Sequence, residues 1–538
     1  MDVNSDNEVG YTIEDVQLMQ NNGKINTKTG AAEIQEVSAF RRILPQVLAS
    51  CVKHLLILDL AISISFPAVL IPQLTGVRNR APEETLWFND IQASWFASLA
   101  FICQPIGSTL SGIVLEELGR KKAMMIVNLP HIAAWLMLYY ATELKTVFSA
   151  NILLGLGVGF MEAPVLTYVG EITEPSVRGI LSALASVMSS LGAALLYIVG
   201  SKTTWRNTAL FASAVPMITI VCLTFVPETP IWLLSKDRKV QALRSLQWLR
   251  GWVTPMTVKK EFHQMRRYVE TSNYCRPCQR QGIKCEHPKP TLGEKIKQIT
   301  RQKSLKPLFI ILMCFFFSVV SIVQTMRPYF IQIFEKYHMA IDPSLMMILV
   351  GVTAFIGNIT AVVGIRIIGK RKMVLASMTS TAVFSFCLAV YSWRIFPYGL
   401  SSFDKVDFTG KPETYTPIVL FMSLAFSTNL GITVIPWVMI SEIFPNQTRS
   451  MSSGITAACV HLMYFTSTKS YYSLETSISL FGMISFYAFV AIAGTLFMYN
   501  YLPETEGKTL EEIEAHFSDN SLKLSDHKIR PTTVTIKR

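Results

Sequence analysis

Twelve separate apolar stretches run through this chain, at about 46–73, 91–115, 122–142, 147–170, 181–201, 207–227, 307–334, 344–366, 373–395, 415–440, 450–472 and 478–500. Each is long enough to cross a bilayer as a helix, which takes roughly 20 mainly apolar residues. No soluble core repeats such runs twelve times. A chain of 538 residues, 50% of them hydrophobic, therefore reads as one polytopic membrane protein rather than two soluble domains. The residues before the first span mix Asn, Gln, Glu and Lys and lack the apolar stretch and small-residue cleavage site of a secretory signal. The N-terminus is expected to stay in the cytosol, with the first span acting as the insertion signal.

The net charge of +12 has a location. Eighteen of the 49 Lys and Arg lie between Lys236 and Lys306, in the loop joining the sixth and seventh spans. Basic loops mark the cytosolic side of a membrane protein. The charge is thus a topology signal and a lipid-headgroup contact, and nucleic acid is not an expected partner. Cys103, Cys222, Cys314 and Cys387 fall inside apolar stretches, where a thiol behaves as a small hydrophobe, so no disulfide framework is implied. Within the basic loop, Cys275, Cys278, Cys285 and His287 form a compact run of ligand types suited to tetrahedral zinc. Free thiols in a reducing cytosol are the other reading of that run.

Three short signatures occur once in each half of the chain, in the same order. The turn after the second span reads Gly119-Arg-Lys-Lys122, and the turn after the eighth reads Gly369-Lys-Arg-Lys372. Glu171 and Arg178 follow the fourth span with the same spacing as Glu442 and Arg449 after the tenth. The sixth span ends in Pro227-Glu-Thr-Pro230 and the twelfth in Pro503-Glu-Thr-Glu506. Two six-helix halves repeating in parallel are the layout of major facilitator transporters, in which cargo binds near mid-membrane between the halves. Acidic and basic groups at these helix ends suit a latch whose ion pairs form when the cytosolic side closes and part when it opens. The candidates are Glu116, Arg120, Glu171, Arg178, Glu228, Lys370, Arg371, Glu442, Arg449 and Glu504. The plainer reading is that the basic turns anchor helices to headgroups and the acids solvate helix ends.

Ionisable groups inside spans are costly and face a cavity or a partner. Asp59, His131, Glu162, Arg327 and His461 all lie within apolar runs. Asp59 and Glu162, on the first and fourth spans, are candidates to carry a proton coupled to transport; a neutral or paired structural carboxyl is the alternative. Arg327 either snorkels to the outer interface or recognises an anionic group on the cargo. Ser186, Ser189 and Ser190 on the fifth span suit close helix packing, with Ser186 the exception most suited to a pocket.

The repeated signatures resemble the sugar porter family of the major facilitator superfamily, over nearly the whole chain from the first span to about residue 514. Gly112–Lys122, Gly155-Leu-Gly-Val-Gly159 through Glu171 to Arg178-Gly179, Pro227-Glu-Thr-Pro230 and Pro503-Glu-Thr-Glu-Gly-Lys-Thr-Leu-Glu-Glu512 carry the likeness. So does Gly431-x4-Pro436-Trp437 with Glu442 and Arg449. Glu117-Leu-Gly-Arg-Lys, Val226-Pro-Glu-Thr-Pro and Val350-Gly-Val look most like the facilitated trehalose transporter branch. The resemblance implies that Trp437 stacks on a sugar face and moves with a broken tenth helix. It also shows departures. The paired glutamines of the family's seventh helix are replaced by Ser318 and Val319, with Gln324 at the position of the family's Asn. Ser186 replaces a fifth-helix Gln, and Val460-His461 an eleventh-helix Asn-Trp pair. Asn151 and Ile231 stand where the family has arginines, and Glu116-Glu117 and Arg366-Ile367 where it has Asp-Arg.

The expectation is an all-α membrane protein of major facilitator fold, with 12 transmembrane helices as two six-helix halves. Residues 1–45 form a cytosolic tail, 46–227 the first half, 228–306 a basic helical loop, 307–500 the second half and 501–538 a second cytosolic tail. The expected function is alternating-access transport of a small polar solute, a sugar such as trehalose or a hexose, across the plasma membrane, by a monomer in the lipid bilayer. Trp437, Gln324, Tyr329, Asn358, Ser186 and His461 are the expected pocket. A carrier of charged organic solutes or of protons and a non-transporting solute sensor are the competing readings. No nucleophile elbow or phosphate-binding glycine loop suggests an enzyme, since Gly155-x-Gly-x-Gly159 lies inside a membrane helix where glycines serve packing. No cofactor is expected apart from zinc in the loop. Asn358-Ile-Thr360 and Asn446-Gln-Thr448 match a glycosylation pattern but lie within the membrane and on the cytosolic side.

Overall fold

The computed structural model describes residues 37–77, 84–272, 293, 297, 299–320, 322–404, 413–445, 448–508, 510–518, 526, 527 and 529. Among these residues the protein is helical, with a single isolated bridge between Met339 and Thr414. The Cys275, Cys278, Cys285 and His287 run lies outside the described residues.

The first half comprises α1 (Ala39–Ser65) and its continuation α2 (Pro67–Leu74), α3 (Asp90–Leu118), α4 (Arg120–Tyr139), α5 (Leu144–Ile172), α6 (Pro175–Lys202) and α7 (Trp205–Phe225). Three short helices follow, α8 (Pro230–Ser235), α9 (Lys239–Leu249) and α10 (Pro255–Ser272). The second half holds α11 (Gln302–Val319), α12 (Ile322–Met326), α13 (Phe330–Lys336), α14 (Pro343–Ile368), α15 (Lys370–Ile395), α16 (Thr416–Asn429), α17 (Ile435–Ile443) and α18 (Arg449–Tyr501). A tail helix, α19 (Leu510–Ser518), ends the described fold. Nine helical segments among the described residues are long and apolar enough to span a membrane by themselves. At 53 residues, α18 would be about 80 Å long if straight. A kink at Ser479 (φ 70°) divides it into two helices. The seventh span is assembled from α11 to α13, and the tenth from α16 and α17.

Local chemistry sets these boundaries. Asn89 caps α3, accepting from the Gln92 N–H while the Gln92 side chain accepts from the Asn89 N–H. Gly119 and Gly369, at φ 89° and 94°, each end one span and start the next with no intervening loop. That left-handed conformation favours glycine. The tenth span breaks between Asn429 and Ile435, and its freed backbone is satisfied from α15. There the Ser377 hydroxyl donates to the Ser427 carbonyl and accepts from the Ile432 N–H.

Within the first half, α3 and α5 approach closely because glycines line their contact. A Cβ at Gly107 would lie 2.0 Å from the Leu156 carbonyl oxygen, and one at Gly159 would lie 2.0 Å from that of Gln104. On the membrane-facing surface, large apolar side chains stay exposed, among them Leu129, Phe225, Val419 and Phe489. The short helices α8 and α9 pack under the first half. Arg250 is bonded there to Glu261 and to the carbonyl of Ile172. This face, which carries α8–α10 and the tail helix, is called the loop face below.

Candidate translocation site

The two halves meet along α3 with α18 and along α6 with α14. Several named contacts close this seam. From the face opposite the loops inward, Gln332 donates to Thr75 at 3.4 Å, and Lys469 donates to Ser94 at 3.2 Å with its ammonium 4.2 Å from the Trp95 ring. Trp95 also lies against Phe465, and Phe101 stacks on Tyr464 at 5.2 Å and 17°. Deepest is His461, whose Nε2 is 2.7 Å from the Glu162 carboxylate of the other half. Glu162 lies about ten residues from the loop-face end of α5 and His461 about twelve from that of α18. Both positions are roughly 15–18 Å inside, the middle of a hydrocarbon core about 30 Å thick. Their side chains are 15% and 6% exposed. A carboxylate and an imidazole at this distance form a short polar bond, strong in a low-dielectric setting.

Gln324 and Arg327 stand one turn apart at the break of the seventh span, both half-buried. The Arg327 guanidinium donates to the Gln324 side-chain carbonyl at 2.8 Å. Trp437, on α17 just past the tenth-span break, sits edge-on to Phe315 with centroids 4.9 Å apart.

Other expected pocket residues occupy different places. Asn358 is buried between α14 and α16, and its amide donates to Asn429, the last residue before the break. Tyr329 is enclosed in an aromatic stack with Tyr471 and Phe403. The Ser186 hydroxyl turns back to the Ala183 carbonyl of its own helix. Asp59 is fully buried inside the first half, 2.6 Å from His131 Nδ1, and accepts from the Trp135 indole. The structure encloses it among α1 and α4 side chains, which matches the paired structural carboxyl offered as the alternative reading. Gly157 makes room for that histidine, since a Cβ there would lie 2.1 Å from His131 Nε2.

On the loop face the signature residues form two clusters of the same design. In the first half, Arg120 pairs with Glu171 at 2.6 Å, and Glu228 accepts from the N–H groups of Arg120, Lys121 and Thr229. Burial pushes the Glu228 carboxyl above its usual range, against the pull of those N–H donors and of Arg120. In the second half, Lys370 pairs with Glu442 and Glu506 at 2.8 Å each, and Glu504 accepts from the N–H groups of Lys370 and Arg371. Arg178 and Arg449 donate to the carbonyls of Thr173 and Phe444, while Glu116 is exposed. These pairs join spans within one half. Among the described residues, none of these pairs crosses the seam. The reason is local: α4 and α15 each begin with unsatisfied N–H groups, and the carboxylate after the same half's last span caps them.

Several structural residues carry no motif. Glu174 gathers Arg42, Gln46 and Arg250, and Glu84 gathers Trp205 and Arg206 on the opposite face. Burial raises the Glu84 carboxyl, but Arg206, the Leu86 N–H and the Trp205 indole outweigh it and hold it below the usual carboxylate range. Tyr464 is a missed residue at the seam whose signal was present, one turn beyond His461 on the same helix face; Lys469, an ionisable group inside the eleventh apolar stretch, is another.

Comparison with known proteins agrees with this architecture. The facilitated trehalose transporter Tret1 of Bombyx mori is 27% identical over 450 residues, covering 84% of each chain. Tret1 of Polypedilum vanderplanki is 25% identical over 511 residues, covering 95% of each. The proton:xylose symporter XylE, solved with 6-bromo-6-deoxy-D-glucose, shares the fold at a TM-score of 0.63 and 17% identity, covering 88% of this chain and 98% of its own. A family model described as sugar (and other) transporter matches residues 46–517. The chain is a multi-pass membrane protein of major facilitator fold and belongs to that sugar transporter family.

Proposed function

We propose that this protein carries a sugar across the plasma membrane by alternating access, with the loop face and both termini in the cytosol. The observation that carries the reading is the distribution of contacts between the halves. The hydrogen bonds and ring contacts named above run from the face opposite the loops to the mid-membrane Glu162–His461 pair, the pattern of a carrier sealed on that side. The basic loop supports the orientation, and the relatives named as trehalose transporters support the cargo class. The two loop-face clusters stiffen each half so that it rocks as one body. In this reading Trp437 stacks on the cargo, Gln324 and His461 hydrogen-bond to it, and Asn358 holds the tenth-span break beside Trp437. Tyr329 seals the opposite face, and Ser186 remains a pocket candidate if its hydroxyl turns from Ala183. The test is uptake of labelled sugars by the full chain in reconstituted vesicles. Saturable uptake of trehalose, a hexose or a sugar derivative, competed by the unlabelled compound, is expected. Binding without uptake would make the protein a sensor instead.

A further inference from the structure

Arg327 lies within the seventh span and is half-buried. Three arginines elsewhere in the protein have carboxylates: Arg120 has Glu171, Arg206 has Glu84, and Arg250 has Glu261. Among the described residues no carboxylate pairs with Arg327; its one hydrogen bond goes to Gln324. A guanidinium inside a membrane domain is costly unless it meets water, a partner or a ligand.

Snorkelling does not account for its posture. The seventh span starts at the loop face with α11, so Gln324 is deeper in the membrane than Arg327. By reaching Gln324 the guanidinium folds back toward mid-membrane. The arrangement is also rich in donors. A guanidinium has five N–H donors and no acceptor, and Arg327 takes up one of the two lone pairs of the Gln324 carbonyl, so donors outnumber acceptors in the pair. Glu162, an acidic group at the seam, is bonded to His461. Neutral sugar hydroxyls need acceptors as well as donors, whereas a carboxylate or phosphate needs donors only.

We infer that Arg327 and Gln324 form a subsite for an anionic group, and that the preferred cargo is a sugar bearing one carboxylate or phosphate. This rests on the sugar-carrier reading above and narrows it. The pair binds the charged group, and the rest of the sugar extends along the seam.

The experiment compares glucuronate, gluconate, glucose 6-phosphate, glucose and trehalose as competitors and as labelled cargo for the full chain in vesicles. The inference expects at least one acid or phosphate to be preferred over glucose about tenfold or more in kcat/KM. Arg327→Gln should reduce that preference by a similar factor, and Arg327→Lys should restore part of it. Which anionic compound wins separates a carboxylate site from a phosphate site. Equal or better transport of neutral sugars overturns the inference while leaving the sugar carrier standing. Transport of no sugar, charged or neutral, overturns both. The unmodified protein decides these outcomes, whatever the folding yield of the variants.

Discussion

Replacing Glu162 by Gln is expected to cut transport about tenfold or more, and replacing His461 by Gln to do the same. The bond between them is the deepest of the named contacts joining the halves, and both side chains are largely enclosed. Losing a charge-assisted hydrogen bond while its partner stays buried costs about 1.5–3 kcal/mol. At about 1.4 kcal/mol per factor of ten, that shifts the balance between the carrier's orientations by roughly ten- to a hundred-fold. The pair must therefore behave as a unit. Glu162→His combined with His461→Glu should recover a large part of the uptake lost in either single variant. Independent, additive losses would show that the two side chains touch without acting together.

Gly159→Ala is expected to have the largest effect on folding. Its Cβ would stand 2.0 Å from the carbonyl oxygen of Gln104, which is backbone and cannot rotate away. To reach an ordinary contact, α3 and α5 would have to separate by more than an ångström along their tightest stretch. Overpacking on this scale costs about 3 kcal/mol or more. The expected result is a fall in the thermal midpoint of the detergent-purified protein of ten degrees or more, or no monodisperse protein. Gly107→Ala should match it, because its Cβ meets the Leu156 carbonyl at the same distance. Gly112→Ala is the control, with nothing within 4 Å of its Cβ, and should melt like the parent. A Gly159→Ala protein as stable as the control would mean that the two helices do not approach as described.

These two predictions draw on different degrees of legibility. The glycines could be read from the sequence, because a run of them inside an apolar span has few uses other than close packing. The spans were equally legible, since the bilayer fixes their length; even the eleventh and twelfth, fused across Ser479, were separable by length alone. The repeated signatures were legible as a repeat, and they reappear as matching hydrogen bonds around Arg120 and Lys370. Their partners were not. A motif gives the spacing of Glu228 and Arg120 along the chain, but the uncapped N–H groups of α4 decide which half supplies the acceptor. Glu162 and His461 could not be matched from sequence because they lie 299 residues apart and each merely interrupts an apolar run. The same holds for Asp59, whose partner His131 also stood out as an isolated polar residue. Cargo was the least legible feature. The amides that announce a neutral sugar on the seventh span are absent, and only the direction in which Arg327 folds gives its place a chemical meaning.

The central claim is that two rigid halves rock about a mid-membrane contact. The most direct test is the distance between spin labels at Ser176 and Ser441, exposed positions at the loop-face ends of the first and second halves. The account predicts two populations of distance, one short and one long, whose ratio changes when saturating cargo is added and again when Glu162 is replaced by Gln. A single distance, unchanged by cargo and by the substitution in a protein that still transports, would contradict it.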